Sequence, residues 1–192
     1  MKTITPYTRT IRPGFSLIEI LIVVAIITGL AAIAFPVANK VIKSGNLEKN
    51  REMTVALERA IDRFYGEYGY YPVEVSDDDT LDTSEIEQLL SELEGTQDNL
   101  EYNIKGINFL EGFAEGKNNR GGLLRTSSGD IDGLKNTFGQ NFEIIIDGDF
   151  DKTIEPPALG LEDEGEDIVG KRVLIWSQGE DNATEDIITN WR

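Results

Sequence analysis

From Ile20 to Ala38 the chain carries no charged side chain, and Val, Ile, Leu and Ala fill most positions. That length is about what an α-helix needs to cross the apolar part of a bilayer. Past Asn39 the pattern turns amphipathic. Met53, Leu57, Ala60, Ile61 and Phe64 recur at three- and four-residue steps, with Arg51, Glu52, Glu58, Arg59, Asp62 and Arg63 on the other face, which makes one apolar stripe. Together the two patterns predict one helix from Phe15 to about Tyr65. Residues 15–38 suit a membrane or a filament core, and residues 39–66 form an amphipathic continuation that packs on a head. Pro36 removes a backbone donor, and Gly29 and Gly45 weaken the ladder, so bending or melting is expected near them. The run Gly66-Glu67-Tyr68-Gly69-Tyr70-Tyr71-Pro72 ends the helix, because glycine supplies the angles of a stop and Pro72 cannot continue it.

Residues 67–192 read as a head of mixed structure. Ser84-x-x-Glu87 reads as a capping box, and it opens a short helix that buries Ile86, Leu89, Leu90 and Leu93 and closes at Gly95. Gln97 to Gln140 gives little periodic signal; Gly116 to Gly122 reads as loop and Gly129 to Gly133 as a turn. Phe142 to Asp147 and Arg172 to Ser177 read as two strands. Glu155 to Gly170 is acidic, contains Pro and Gly, and reads as an exposed loop. The fold class is α+β: a long N-terminal hydrophobic α-helix packed on a small antiparallel β-sheet head.

One residue does not suit the apolar helix. Glu19 lies one turn in, where an unpaired carboxylate is costly to bury. A cut between Gly14 and Phe15 would create a cationic α-amino group one turn away. In a stack of such subunits, Glu19 of one chain would meet the Phe15 amine of its neighbour and set their register. Gly14-Phe15-Ser16-Leu17-Ile18-Glu19, with basic residues before it and an apolar helix after it, resembles the class III signal of type IV prepilins and type II secretion pseudopilins. The resemblance covers Arg12 to about Asn39 and includes Pro36, where the family commonly has a helix-kinking proline. It implies a pilin-like fold in which the short second helix packs across the long one. Residues 1–14 would be a leader cut by a prepilin peptidase, with N-methylation of Phe15 and an assembly role for Glu19. The implied partners are further copies of the chain, other pseudopilins, and an inner-membrane secretion platform driven by an ATPase. Two plainer readings stand beside it. One is a simple membrane anchor in which Glu19 is tolerated. The other is a secretory signal peptide, since Ala32-Ile33-Ala34 fits an A-x-A cleavage site, although apolar signal regions seldom carry an acid.

Charge and composition narrow the function. The formal charge is -17, and removing Lys2, Arg9 and Arg12 with the leader takes it to -20. Such a surface repels nucleic acid and attracts cations. The basic leader keeps its end cytoplasmic, so a single-pass bacterial inner-membrane protein with an extracytoplasmic head is expected. There is no His and no Cys, which removes the usual general base, the thiolate nucleophile and most zinc sites. No G-x-S-x-G serine, P-loop or dinucleotide fingerprint occurs, and an enzyme is not expected.

Any metal site must therefore be made of oxygens, which points to calcium or magnesium. Ser177-Gln178-Gly179-Glu180-Asp181-Asn182-Ala183-Thr184-Glu185-Asp186-Ile187, with Trp191 near the end, resembles the C-terminal calcium loop of major pseudopilins. On that pattern Asp181 and Asp186 are carboxylate ligands, Ser177 contributes through its backbone or hydroxyl, and Glu185 is an extra donor. Asn182 stands where the family commonly has glycine, and the usual longer glycine-rich insert is missing. A second stretch, Asp147-x-Asp149-x-Asp151, echoes an EF-hand start, but Lys152 and Ala158 occupy the positions of the required Gly and Glu. It reads as a solvated hairpin turn. Asn136 to Phe142 stands where major pseudopilins often show Asp-Pro-Trp-Gly-x-Pro-Tyr; glycine and aromatics remain, the acid and prolines do not. The expected function is a structural subunit of a type II secretion pseudopilus. The alternative is a membrane-anchored cation-binding or adhesive protein that does not polymerise.

Overall fold

A computed structural model describes residues 15–75, 80–97, 99–160, 166–180 and 186–191. The chain divides into two compact units, Met1–Lys43 and Ser44–Arg192. Helix α1, Leu17–Tyr68, enters both. In the first unit none of its residues is buried, and by length and composition this stretch can cross a membrane. The hydroxyl of Thr28, its one polar side chain between Glu19 and Asn39, donates back to the Val24 and Ala25 carbonyls, so it leaves no unmet donor among apolar neighbours. The α-helical ladder runs through Gly29, Pro36 and Gly45 without a break. The expected melting does not occur, because a lost donor is local and the flanking turns keep their bonds. The helix also ends later than expected. Gly66 lies inside it, and the stop comes at Gly69, at φ +79°, whose N–H donates to the Tyr65 carbonyl (2.8 Å).

In the second unit α1 buries the expected stripe: Met53, Leu57, Ala60, Ile61 and Phe64. These side chains share one core with Leu89, Leu90 and Leu93 of α2 (Thr83–Glu94) and with one face of the strands. Each such Leu, Ile or Phe contributes about 1.5–3 kcal/mol on burial. The capping box of α2 differs from expectation. The N-cap is Asp82, whose carboxylate accepts the Glu85 N–H, while Glu85 accepts the Asp82 N–H. Ser84 instead donates its hydroxyl to Asp82 (2.7 Å). Both registers obey the same four-residue pattern, and the anionic side chain wins because it also faces the positive helix end.

The strands are β1 (Gly122–Arg125), β2 (Ile131–Lys135), β3 (Phe142–Ile146), β4 (Thr153–Ile154), β5 (Ile168–Val169), β6 (Val173–Ser177) and β7 (Ile188–Thr189). They form three small antiparallel sheets, β1-β2, β3-β6-β7 and β4-β5, where one was expected. Strands β1 and β2 lie in the stretch of little periodic signal, β1 beginning where the expected loop ends and β2 overlapping the expected turn; a bulge at Leu124/Arg125 and Gly133 at φ +134° break the alternation that would have exposed them. Part of the expected exposed loop also pairs, Thr153 with Val169 and Ile154 with Ile168. Strand β3 is apolar on both sides for a reason. Phe142, Ile144 and Ile146 face the main core, while Ile145 joins Leu174, Trp176 and Ile154 in a second cluster, so both faces of the sheet are covered.

Buried polar groups tie the loops to this frame. The Glu92 carboxylate accepts three backbone N–H groups, from Glu101 (2.6 Å), Tyr102 (3.1 Å) and Asn103 (2.6 Å). Asn103 donates its amide to the Glu92 and Ile107 carbonyls and accepts from the Tyr68 hydroxyl. Asn190 bonds both the N–H of Ile175 and the carbonyl of Val173. Arg125 pairs with Glu94 (2.5 Å) and Glu115 (3.0 Å).

These pairs give the head an acid sensitivity. Burial alone would raise the Glu94 carboxyl, but bonds from Arg125 and Thr96 and the guanidinium charge hold it below its ordinary value. Ser84 and the Glu85 N–H hold Asp82 low as well. A depressed carboxyl contributes stability that is present above its unfolded value and is lost as pH falls through its folded value. Asp62 opposes them: burial and the Glu58 charge raise it, so its unfavourable contribution is relieved on acidification. Loss at Glu94 and Asp82 should dominate. Thermal unfolding followed from about pH 6 down to about pH 2 should show a falling midpoint, with a shallower fall in Glu94→Gln. Equal slopes for the two proteins would remove Glu94 from the account.

Candidate functional site

Of the N-terminal residues singled out, Gly14 lies outside the described residues and Phe15 is almost fully exposed (85%). Glu19 has a partner in its own chain. Its carboxylate accepts the Ser16 N–H (2.8 Å), and the Ser16 hydroxyl accepts the Ile18 N–H (3.3 Å). Ser16-x-x-Glu19 is thus a reciprocal cap on α1. The pattern is plain in the sequence, where Ser16 stands three residues before Glu19. The cap leaves the carboxylate at the head of α1, four residues or about one turn from Phe15, so it is compatible with pairing to an amine there.

The C-terminal loop is the connection between β6 and β7, closed by the pairing of Ser177 with Ile188. Asp181 and Glu185 lie outside the described residues; Ser177 and Asp186 are both buried. The Ser177 hydroxyl donates to the Asn141 carbonyl (2.9 Å) and accepts from the Asn136 amide (2.7 Å). It is therefore engaged inside the fold. Asn136 is the organiser here. Its amide also reaches the Gln178 carbonyl, and its oxygen accepts the N–H groups of Phe138 and Gln140. At the loop neck a Cβ on Gly179 would lie 1.9 Å from the Asp186 Cβ. Only glycine permits that approach, which holds the Asp186 carboxylate at the neck. An all-oxygen donor set of this kind suits a hard cation.

The stretch expected to be a solvated turn holds the described carboxylates that converge. Asp147, Asp149 and Asp151 place one oxygen each within 4.8 Å of the others, with Asp147 buried and the other two exposed. Backbone N–H groups of Lys152, Asp151 and Thr153 donate to Asp147, Asp149 and Asp151 respectively. Those bonds orient the acids without needing an ion. Alternation of acid and non-acid in the sequence was the available signal, and only the bend of the loop turns the three side chains toward one another.

No family model, curated protein or solved structure matches this chain.

Proposed function

We propose that this chain is the structural subunit of a filament of the type II secretion pseudopilus kind, made available for assembly by cleavage between Gly14 and Phe15. The observation that carries the reading is the sequence Gly14 to Glu19 joined to an apolar helix in which Glu19 is the sole charged residue before Lys40. The layout supports it: a cut after Gly14 leaves α1 starting within three residues of the new end. An exposed apolar helix on a small α+β head is the pilin-like arrangement. On this reading the helix leaves the bilayer to pack against helices of other copies, and the head stays outside the cytoplasm. The work is mechanical, not enzymatic.

The deciding measurement is intact mass and N-terminal sequence of the membrane-extracted protein, produced with a prepilin peptidase. The expected result is a chain beginning at N-methylated Phe15. A start at Phe35 would mean a secreted soluble head, and an intact Met1 would leave a simple anchor; either ends the filament reading.

A second reading, an anchored protein that does not polymerise, is favoured by one observation. The Ser16 cap gives Glu19 a partner without any neighbour.

The filament reading also carries a calcium ion in the β6–β7 loop. Asp181, Glu185 and Asp186 would supply carboxylates and Ser177 its carbonyl, and the ion would offset local negative charge in a chain of -17. Calcium at about a hundred times its Kd adds about 2.7 kcal/mol, so the melting temperature should rise by several degrees and fall again with chelator. Asp181→Asn should remove that rise. If the rise survives Asp181→Asn and disappears in Asp149→Asn, the ion belongs to the 147–151 loop instead. No rise in the unsubstituted protein would end the calcium assignment.

A further inference from the structure

The second unit carries an aromatic cleft whose lining residues Gly148 and Phe150 alternate with acids in the sequence. Tyr70, Tyr71, Val75, Tyr102 and Phe150 are among its lining residues, and its volume is about 350 Å³. Tyr71 and Phe150 stack nearly parallel at 5.6 Å, and the Tyr70 and Tyr102 rings lie 6.2 Å apart. Phe150 is more than half exposed (56%), between Asp149 and Asp151. No basic residue is among the lining residues. Two cations nearby, Lys105 and Arg172, already face Tyr68 and Tyr65 and pair with Glu67 and Asp62. Aromatic faces beside carboxylates recognise an ammonium or guanidinium group, through cation–π attraction and charge pairing.

The same unit presents such groups elsewhere. Lys117 to Arg120 is an exposed turn, closed by mutual backbone bonds between its two basic ends (2.9 and 3.1 Å). Asn118 and Asn119 hold it in left-handed backbone, at φ 52° and 61°. Among the described residues, Lys117, Arg120, Asp149 and Asp151 form no salt bridge. Turn and cleft sit at different levels of α1. Gly121 meets the helix at Lys49, and Phe150 meets it at Tyr65, about 24 Å further along at the helical rise.

We infer that these are the two halves of one contact between copies: Lys117 and Arg120 of one head enter the aromatic cleft of the next. The inference rests on the filament reading and names the surfaces that reading leaves open. Knob and socket are different patches, so the contact is heterologous. Between copies whose helices run parallel, it can form only after a displacement along the helix axis. A displacement of that kind repeats without closing, which is the geometry of a filament and not of a ring.

The absence of cysteine makes the test direct. The full chain bearing Lys117→Cys and Asp151→Cys, assembled in membranes with the prepilin peptidase and then oxidised, should give a ladder of disulfide-linked multimers. That leaves Arg120, Asp149 and the aromatic rings in place. In parallel, Lys117→Glu with Arg120→Glu should lower the sedimentable fraction by about tenfold, a change of about 1.4 kcal/mol, and Asp149→Lys with Asp151→Lys added should restore most of it. Sedimentable filaments of chains starting at Phe15 that give no ladder would overturn the contact while leaving the filament reading in place. So would assembly that is indifferent to charge reversal. Failure of the unsubstituted chain to sediment at all would overturn both.

Discussion

Glu19→Gln should insert in the membrane and lose its leader normally, yet fail to assemble, and Glu19→Val should behave the same way. The comparison separates two roles that coincide in one side chain. Glutamine at this position still accepts the Ser16 N–H, so the cap seen on α1 survives, whereas valine removes it. Losing such a cap costs about 1 kcal/mol. Losing the charge costs more, if Glu19 meets the Phe15 amine of a neighbour among packed helices. Breaking a buried ion pair by removing one partner costs about 3–5 kcal/mol, which lowers an association constant by about a hundredfold or more. The sedimentable fraction of membrane-extracted protein, with electron microscopy, reads the outcome. Assembly of Glu19→Gln at the unsubstituted level, with Glu19→Val defective, would assign Glu19 to the cap and remove the register role. Normal assembly of both would remove the register role from Glu19 and leave the filament to be held by other contacts.

Glu92→Ala should be among the most destabilising single changes in the head. Three backbone N–H groups point at this carboxylate, and alanine leaves them without it in a site where Asn103 is almost wholly buried. Each unmet buried donor costs about 1–3 kcal/mol, so a loss of about 3 kcal/mol or more is expected even if water reaches the outermost. Glu92→Gln should lose roughly half as much, because a carboxamide keeps one acceptor oxygen and sets its NH2 group against donors. Chemical unfolding of the detergent-solubilised chain measures both. If Glu92→Ala costs under about 1 kcal/mol, the loop at residues 101–103 is held by other contacts.

The helices were readable to different depths. The apolar stripe from Met53 to Phe64 is buried as its spacing implied, and so are Leu89, Leu90 and Leu93 of α2, while Ile86 at the start of that face is only partly buried. The end of α1 moved to Gly69, and the start of α2 moved by two residues because Ser84 and Asp82 each begin a four-residue capping pattern and only the packed structure selects between them. Strands β3 and β6 were legible from their apolar runs. Strands β1, β2, β4, β5 and β7 were not: they are two to five residues long, and glycine or a bulge interrupts the alternation on which a strand is recognised. Among the candidate metal ligands, Asp186 is at the neck of a hairpin loop, and Ser177 has its hydroxyl engaged by Asn136 and Asn141. Serine in a turn looks available in a sequence; its hydrogen-bond partners were 41 and 36 residues away.

By itself the sequence determined the apolar segment, the place of Glu19 within it, the amphipathic continuation and strands β3 and β6. All of these follow from spacing within about twenty residues, where helix and strand periods act directly on the chain. Tertiary structure decided the rest. It selected Glu92 to hold residues 101–103, Asn136 to hold the start of the β6–β7 loop, and Asp147 to converge with Asp149 and Asp151. It also set the aromatic cleft and the basic turn at different levels of one helix. A polar side chain takes its role from whichever donor or acceptor the closed fold brings beside it when water is excluded. That partner is fixed by loop closure across tens of residues, so the residue's type and its neighbours in sequence do not reveal it.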